Sequence, residues 1–267
     1  MNESETSCSL KILLITEEDE FYIPLAVNYL LQNHKDEIIE VVAARNPLLK
    51  SKIRAAWKFM KTFGLWPTLV LTVRALRAKF LDRFPRLNNT GRFFSVRSVC
   101  EAHNKPYCYE YDINSQRFLD HCDKIGVNLI IAVSPTQIFK EKLITLPSHG
   151  CINIHTASLP RYRGLYPTYW AMASGEDKLG ISIHYIDKGI DTGKIILQDE
   201  IDIPARSTLD AMLTKSKVKG AELLSKAIEN IKKGNVRSYY LEGQGSYFSF
   251  PTRESYKNFR TRGFRLF

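Results

Sequence analysis

The order in which short apolar runs alternate with amphipathic stretches constrains the fold most. Leu10 to Ile15 is an apolar run of strand length, Ile23 to Gln32 carries helical spacing, and Ile38 to Ala44 reads as a second strand. The theme returns with a strand near Pro106 to Tyr111, a helix from Ser115 to Lys124 and an almost wholly apolar strand at Val127 to Val133. A strand that is apolar on both faces must be covered on both, so the pattern implies an α/β chain with a doubly wound, mostly parallel sheet. Functional residues are then expected at strand ends. A chain of 267 residues, 44% hydrophobic, has enough material for one enlarged domain or a main domain with an appendage.

The net charge of +10 is concentrated in one segment. Lys50 to Arg97 holds twelve Lys and Arg against the single acid Asp82, so the rest of the chain is close to neutral. The segment reads as one or two helices, broken near Gly64 and Pro67, with Leu69, Val73, Leu76 and Phe80 at three- or four-residue steps. The simplest expectation is a helical insertion that packs this apolar stripe on the domain and leaves Lys and Arg in solvent. An anionic membrane surface, tRNA and a phosphorylated substrate are the functional alternatives. Met1 to Ser9 has two Glu and no basic residue, and the next apolar run soon meets Glu17-Glu18-Asp19-Glu20. Neither a signal peptide nor a membrane span is expected, which points to a cytoplasmic protein. Five cysteines without a Cys-x-x-Cys pair fit a reducing compartment.

The turn after the first strand, Thr16-Glu17-Glu18-Asp19, has no glycine to admit a phosphate and carries charge that would repel one. A nicotinamide dinucleotide is therefore not expected there. The chemistry concentrates instead between Cys151 and Gly193. In Ile152-Asn153-Ile154-His155 the period of two puts Asn153 and His155 on one face of a strand, a donor beside a base. Ser158-Leu159-Pro160-Arg161-Tyr162-Arg163-Gly164 follows, and Gly189-Ile190-Asp191-Thr192-Gly193 comes later. From the residues alone, His155 is also compatible with a satisfied core histidine. A Cys151–His155 pair would have to bridge about 13 Å along the strand. A metal site from His149, His155, His184 and Asp191 matches no zinc spacing.

The ordered Asn-x-His, the Ser-Leu-Pro-x-Tyr-Arg-Gly string and the later Asp resemble the core of the 10-formyltetrahydrofolate-dependent formyltransferases, from about Val127 to Pro204. That resemblance implies a Rossmann-like fold and catalytic roles for Asn153, His155 and Asp191. It implies folate contacts at Ser134, Pro135, Thr136 and Ile138, and at Asp187, Gly189 and Ile190. It makes Ser158, Arg161, Tyr162, Arg163 and Gly164 a substrate loop. The donor would be 10-formyltetrahydrofolate as co-substrate, with no metal. Transfer to an amine passes through a tetrahedral intermediate, for which Asn153 would steady the oxyanion and His155 manage a proton.

Beyond Pro204, Ser207 to Lys232 reads as a helix and Ser238 to Phe250 as an alternating segment, giving a small C-terminal β-hairpin or tail. The expected organisation is a catalytic domain over 1–206, with the basic insertion at about 50–97, and a C-terminal extension over 207–267. Tyr247 or Phe248 could stack on a base or pack in the core. The resemblance, taken with the chain's length, ranks a nucleotide-linked amino sugar first as acceptor. Aminoacyl-tRNA or another amine comes second, and an inactive membrane- or nucleic-acid-binding relative third. A homodimer remains open.

Overall fold

The computed structural model describes residues 10–45 and 52–267; readings that touch Met1 to Ser9, including Cys8, and Lys50 lie outside the described residues. β1 (Ile12–Thr16), α1 (Ile23–Asn33) and β2 (Ile38–Ala44) form the opening unit. Then come α2 (Lys52–Phe63), α3 (Leu65–Arg83), α4 (Val96–Ala102), β3 (Tyr107–Glu110), α5 (Gln116–Ile125), β4 (Leu129–Val133), α6 (Glu141–Thr145) and β5 (Cys151–His155). The last part holds β6 (Arg163–Gly164), α7 (Pro167–Ser174), β7 (Lys178–Tyr185), β8 (Ile195–Asp202), α8 (Leu209–Lys232), β9 (Tyr247–Phe248) and α9 (Arg253–Thr261).

The seven-stranded sheet runs β3-β2-β1-β4-β5-β7-β8, parallel through β5 and antiparallel for β7 and β8. Alternate residues of one strand feed two cores. Ile12 and Leu14 pack with α1, α4 and α8, whereas Leu13 and Ile15 pack with α5. Strand order reverses between β1 and β4, which opens a crevice at their carboxyl ends. The acids of the turn after β1 are committed there. Asp19 accepts hydrogen bonds from the backbone N–H groups of Phe21, Tyr22 and Ile23 at the start of α1. Glu18 does the same for Val96 and Arg97 at the start of α4, at 3.0 and 3.2 Å. A carboxylate of the chain itself thus fills the position where a helix N-terminus would otherwise hold an anion.

The basic insertion is a helical pair, but its packing is the reverse of the expectation. Gly64, at φ 96°, separates α2 from α3. Phe63 of α2 is buried among Tyr169, Phe250 and Tyr256. α3 turns Ala78 inward, pairs Arg74 with Asp210 at 2.6 Å, and engages Ser95 through Asp82 at 2.9 Å. Leu69, Val73, Leu76 and Phe80 point outward. The inner face is held by small and polar residues, so the apolar stripe is left to solvent. The C-terminal extension is a tail rather than a hairpin, because β9 pairs in parallel with β6 instead of folding back on itself. Thr208 caps α8, which joins the same core as α1.

Candidate active site

β5 carries Asn153 and His155 on the face away from the α1–α8 core, and the antiparallel register of β7 sets His184 directly opposite Asn153. His184 Nδ1 lies 2.8 Å from the Tyr185 carbonyl and so donates to it. Its Nε2 is then free to accept from Asn153 Nδ2 at 3.2 Å. Burial holds His184 below the ordinary histidine range, against the pull of Asp191 and with the help of neighbouring His155, so the ring is neutral at physiological pH. The contact between His184 and Asn153 is not legible in the sequence, because register across an antiparallel pair is not written in either strand alone.

His155 Nε2 is 2.8 Å from the Tyr162 carbonyl, to which it donates. Its Nδ1 faces Asp191 Oδ2 at 3.5 Å, while Asp191 Oδ1 lies 3.6 Å from His184 Nε2. One carboxylate therefore faces two imidazoles. Asp191 Oδ2 is also anchored by the Gly164 N–H at 2.8 Å. The loop between β7 and β8 brings Asp191 back over β5 by a local device. Asp187 Oδ1 accepts from Gly189 N at 3.0 Å and Thr192 Oγ1 at 2.6 Å. Gly193 lies so near Tyr185 that a Cβ would sit 1.9 Å from its carbonyl oxygen. The three residues expected to be catalytic are thus gathered in one cluster, with Asn153 and His155 buried and Asp191 partly so, and Asn153 Oδ1 is left there without a hydrogen-bond partner.

Ser158 packs over Gly180, and Arg161 pairs with Glu176 at 2.7 Å, which makes it a brace of the loop. Tyr162 also bonds Glu176, at 2.7 Å, and its N–H reaches Ser246 Oγ at 2.9 Å. Arg163 and Gly164 pair with β9. Phe248 stacks between Tyr162 and Trp170, so it is a packing residue; Tyr247 stays exposed. Leu159, Pro160, Arg163, Asp191, Tyr240 and Gly245 are among the residues around a cleft of about 260 Å³. Arg163 Nε is buried at this cleft without a partner.

Ser134, Pro135, Thr136 and Ile138 lie on the segment leaving β4, beside the crevice. Ser134 bonds Lys217 Nζ, which reaches over from α8 and is held below the ordinary lysine range by burial. Thr136 Oγ1 is buried without a partner, and Ile138 and Ile190 are exposed. Lys217 escaped the sequence reading because nothing distinguishes it from its neighbours on α8. Cys151 donates to the Leu143 carbonyl at 3.5 Å, and burial pushes its thiol well up; it is a small core residue and not a nucleophile for His155. Among the described residues, the grouping of metal-donor atoms that does occur, His34, Glu37 and Glu229, includes none of His149, His155, His184 and Asp191.

Residues 92–228, half of the chain, match the family model described as Formyl transferase. The chain belongs to the formyl transferase family. It is 33% identical over 152 residues to a methionyl-tRNA formyltransferase of Thermodesulfovibrio yellowstonii, covering 57% of this chain and 49% of that protein. The chain thus spans about half the length of the curated relatives it matches. Among solved structures, a sugar N-formyltransferase from a Shewanella species superposes with a TM-score of 0.59 at 15% identity, covering 95% of this chain and 87% of the other. An N-formyltransferase from Helicobacter canadensis, solved with folinic acid and dTDP-3-aminofucose, gives 0.56 at 18%, covering 92% and 72%. At such identities these likenesses establish the shared fold.

Proposed function

We propose that this formyl transferase moves a formyl group from 10-formyltetrahydrofolate to the amine of a nucleotide-linked amino sugar. The observation that carries the reading is the Asp191 carboxylate held between His155 and His184, with Asn153 alongside, beside a cleft of small-molecule size. The donor supplies the formyl carbon and its leaving nitrogen. Asn153 has an amide to stabilise negative oxygen, and an unpartnered Oδ1 that suits a polar ligand. His155, fixed through Nε2, has only Nδ1 left to take a proton from the attacking amine, and Asp191 stabilises the resulting imidazolium. His184, neutral, orients Asn153. Thr136 Oγ1 offers an unsatisfied polar atom at the strand end where the pterin is expected, so the residues present fit a folate.

Two features favour a sugar nucleotide as acceptor. Asp19 already occupies the N-terminus of α1, so an acceptor phosphate must find another cation, and Arg163 at the cleft has an uncommitted Nε. The tail segment from Tyr240 to Gly245 walls the cleft to small-molecule dimensions. The fold neighbours include a protein solved with folinic acid and a dTDP-sugar. The similarity to methionyl-tRNA formyltransferases keeps aminoacyl-tRNA as a second acceptor. Mass spectrometry of the protein incubated with 10-formyltetrahydrofolate, a panel of nucleotide-linked amino sugars and charged initiator tRNA tests both. A formyl gain on a sugar is expected; transfer to tRNA alone replaces the first reading with the second, and transfer to neither overturns both.

A further inference from the structure

We infer that the outward face of α3 is a docking surface for an anionic phospholipid bilayer. Leu65, Trp66, Leu69, Val73, Leu76 and Phe80 are all exposed, Trp66 at 75% and both Val73 and Leu76 at 64%. At 3.6 residues per turn they fall within about 100° of arc, and the helix carries them over about 22 Å. Single exposed apolar side chains are ordinary on a soluble surface, but a continuous helical stripe of them is not. The orientation is enforced from the other side. Arg74 is paired to Asp210, Asp82 engages Ser95, and Ala78 is buried, so α3 cannot roll its stripe inward without breaking these contacts.

The chemistry of the rim selects the occupant. On α3, Arg77 and Lys79 flank the stripe on either side, Lys79 also pairing with Glu20 at 3.4 Å, and Arg83 follows its last residue, within a segment that has twelve basic residues and one acid. Trp66 stands at the start of the stripe and Trp57 is exposed on α2, and indole rings suit the interface between headgroups and acyl chains. An apolar stripe with a cationic border fits a bilayer whose headgroups are negative. It fits a second copy poorly, because two identical faces would bring two strongly positive segments together. It also fits nucleic acid poorly. Phosphates would need cations at the centre of the face and bases would need stacking rings, yet Leu69, Val73 and Leu76 occupy the centre. No helix among the described residues is long and apolar enough to cross a membrane, so α3 would lie along the surface.

The inference is independent of formyl transfer, and its test reads no activity. The full chain is mixed with vesicles of one-third phosphatidylglycerol in phosphatidylcholine, and with pure phosphatidylcholine vesicles, and floated through a density gradient. It should float with the anionic vesicles and far less with the neutral ones. The triple variant Leu69→Ser, Val73→Ser, Leu76→Ser should lose at least about 30-fold in partitioning. Circular dichroism and the melting midpoint should stay unchanged, since none of the three is buried. Arg77→Gln with Arg83→Gln should lose about tenfold. Anionic vesicles should shift the tryptophan fluorescence to the blue, and Trp66→Phe should remove much of that shift. Absence of flotation overturns the inference. So does flotation stripped by salt and indifferent to the triple variant, which would indicate charge alone. A dimer that the serine variant dissociates would assign the stripe to a second copy, and tRNA binding by a chain that ignores vesicles would assign it to RNA.

Discussion

Replacing Asp191 with Asn tests the core of the proposed mechanism, because it removes one charge and little else. Asn preserves an oxygen for the Gly164 N–H and tolerates the left-handed backbone at φ 53°. The lost interaction is that between Asp191 Oδ2 and the imidazolium formed at His155 Nδ1, 3.5 Å away. At an effective dielectric constant of about 20 this is worth about 5 kcal/mol, and at about 40 roughly half as much. The Asp191 side chain is 13% exposed, so some solvent screening applies. A loss of about 2–5 kcal/mol in the transition state corresponds to about 30- to 5,000-fold in rate. Single-turnover formyl transfer, followed by mass spectrometry with acceptor saturating, reads it directly, while the melting midpoint reports that the loop has stayed closed. A folded Asp191→Asn protein retaining more than about a third of the wild-type rate would refute the role given to this carboxylate.

Four further outcomes follow from the same geometry. Asn153→Ala should lower the rate by about 10²–10³ with donor binding largely retained, checked by folate titration alongside kinetics. Arg163→Ala should raise KM for a phosphate-bearing acceptor by about tenfold or more and leave kcat nearly unchanged; an equal fall in kcat would mean the guanidinium acts on the reacting atoms. Gly164→Ala, whose Cβ would meet the Phe248 carbonyl oxygen at 2.3 Å, should separate the tail from the loop and destabilise the chain by about 2–4 kcal/mol, read from denaturant unfolding. His34 and His184 are both held low by burial, so the unfolded chain binds protons that the folded one refuses. Their contribution is fully present above about pH 6.5 and declines as pH falls below it; a melting midpoint flat from about pH 7 to pH 5 would contradict this.

The parts of the fold set by local pattern were readable. The apolar runs Leu10 to Ile15 and Val127 to Val133 match β1 and β4 within two residues, and the helical stretches from Ser115 and Ser207 match α5 and α8 as closely. The shared face of Asn153 and His155 followed from strand periodicity, and the cluster they form with Asp191 followed from resemblance. The rest depends on partners distant in the chain. His184 meets Asn153 only through the β5–β7 register, and the tail meets Arg163–Gly164 through a two-residue pairing too short to leave a pattern. The α3 stripe misled for a different reason. Periodicity tells which residues share a face and not which way the face looks, and here Arg74 and Asp82 took the inner side.

The pairing of β9 with β6 means that the cluster of Asn153, His155 and Asp191 and the tail residues along the cleft, which lie outside the 92–228 family match, come from separate lengths of the chain. Under the proposed function, part of the acceptor selectivity would then rest on a length of sequence that holds none of Asn153, His155 and Asp191. Substitutions between Tyr239 and Phe248 would, on that reading, redraw one wall of the cleft without touching Asn153, His155 or Asp191.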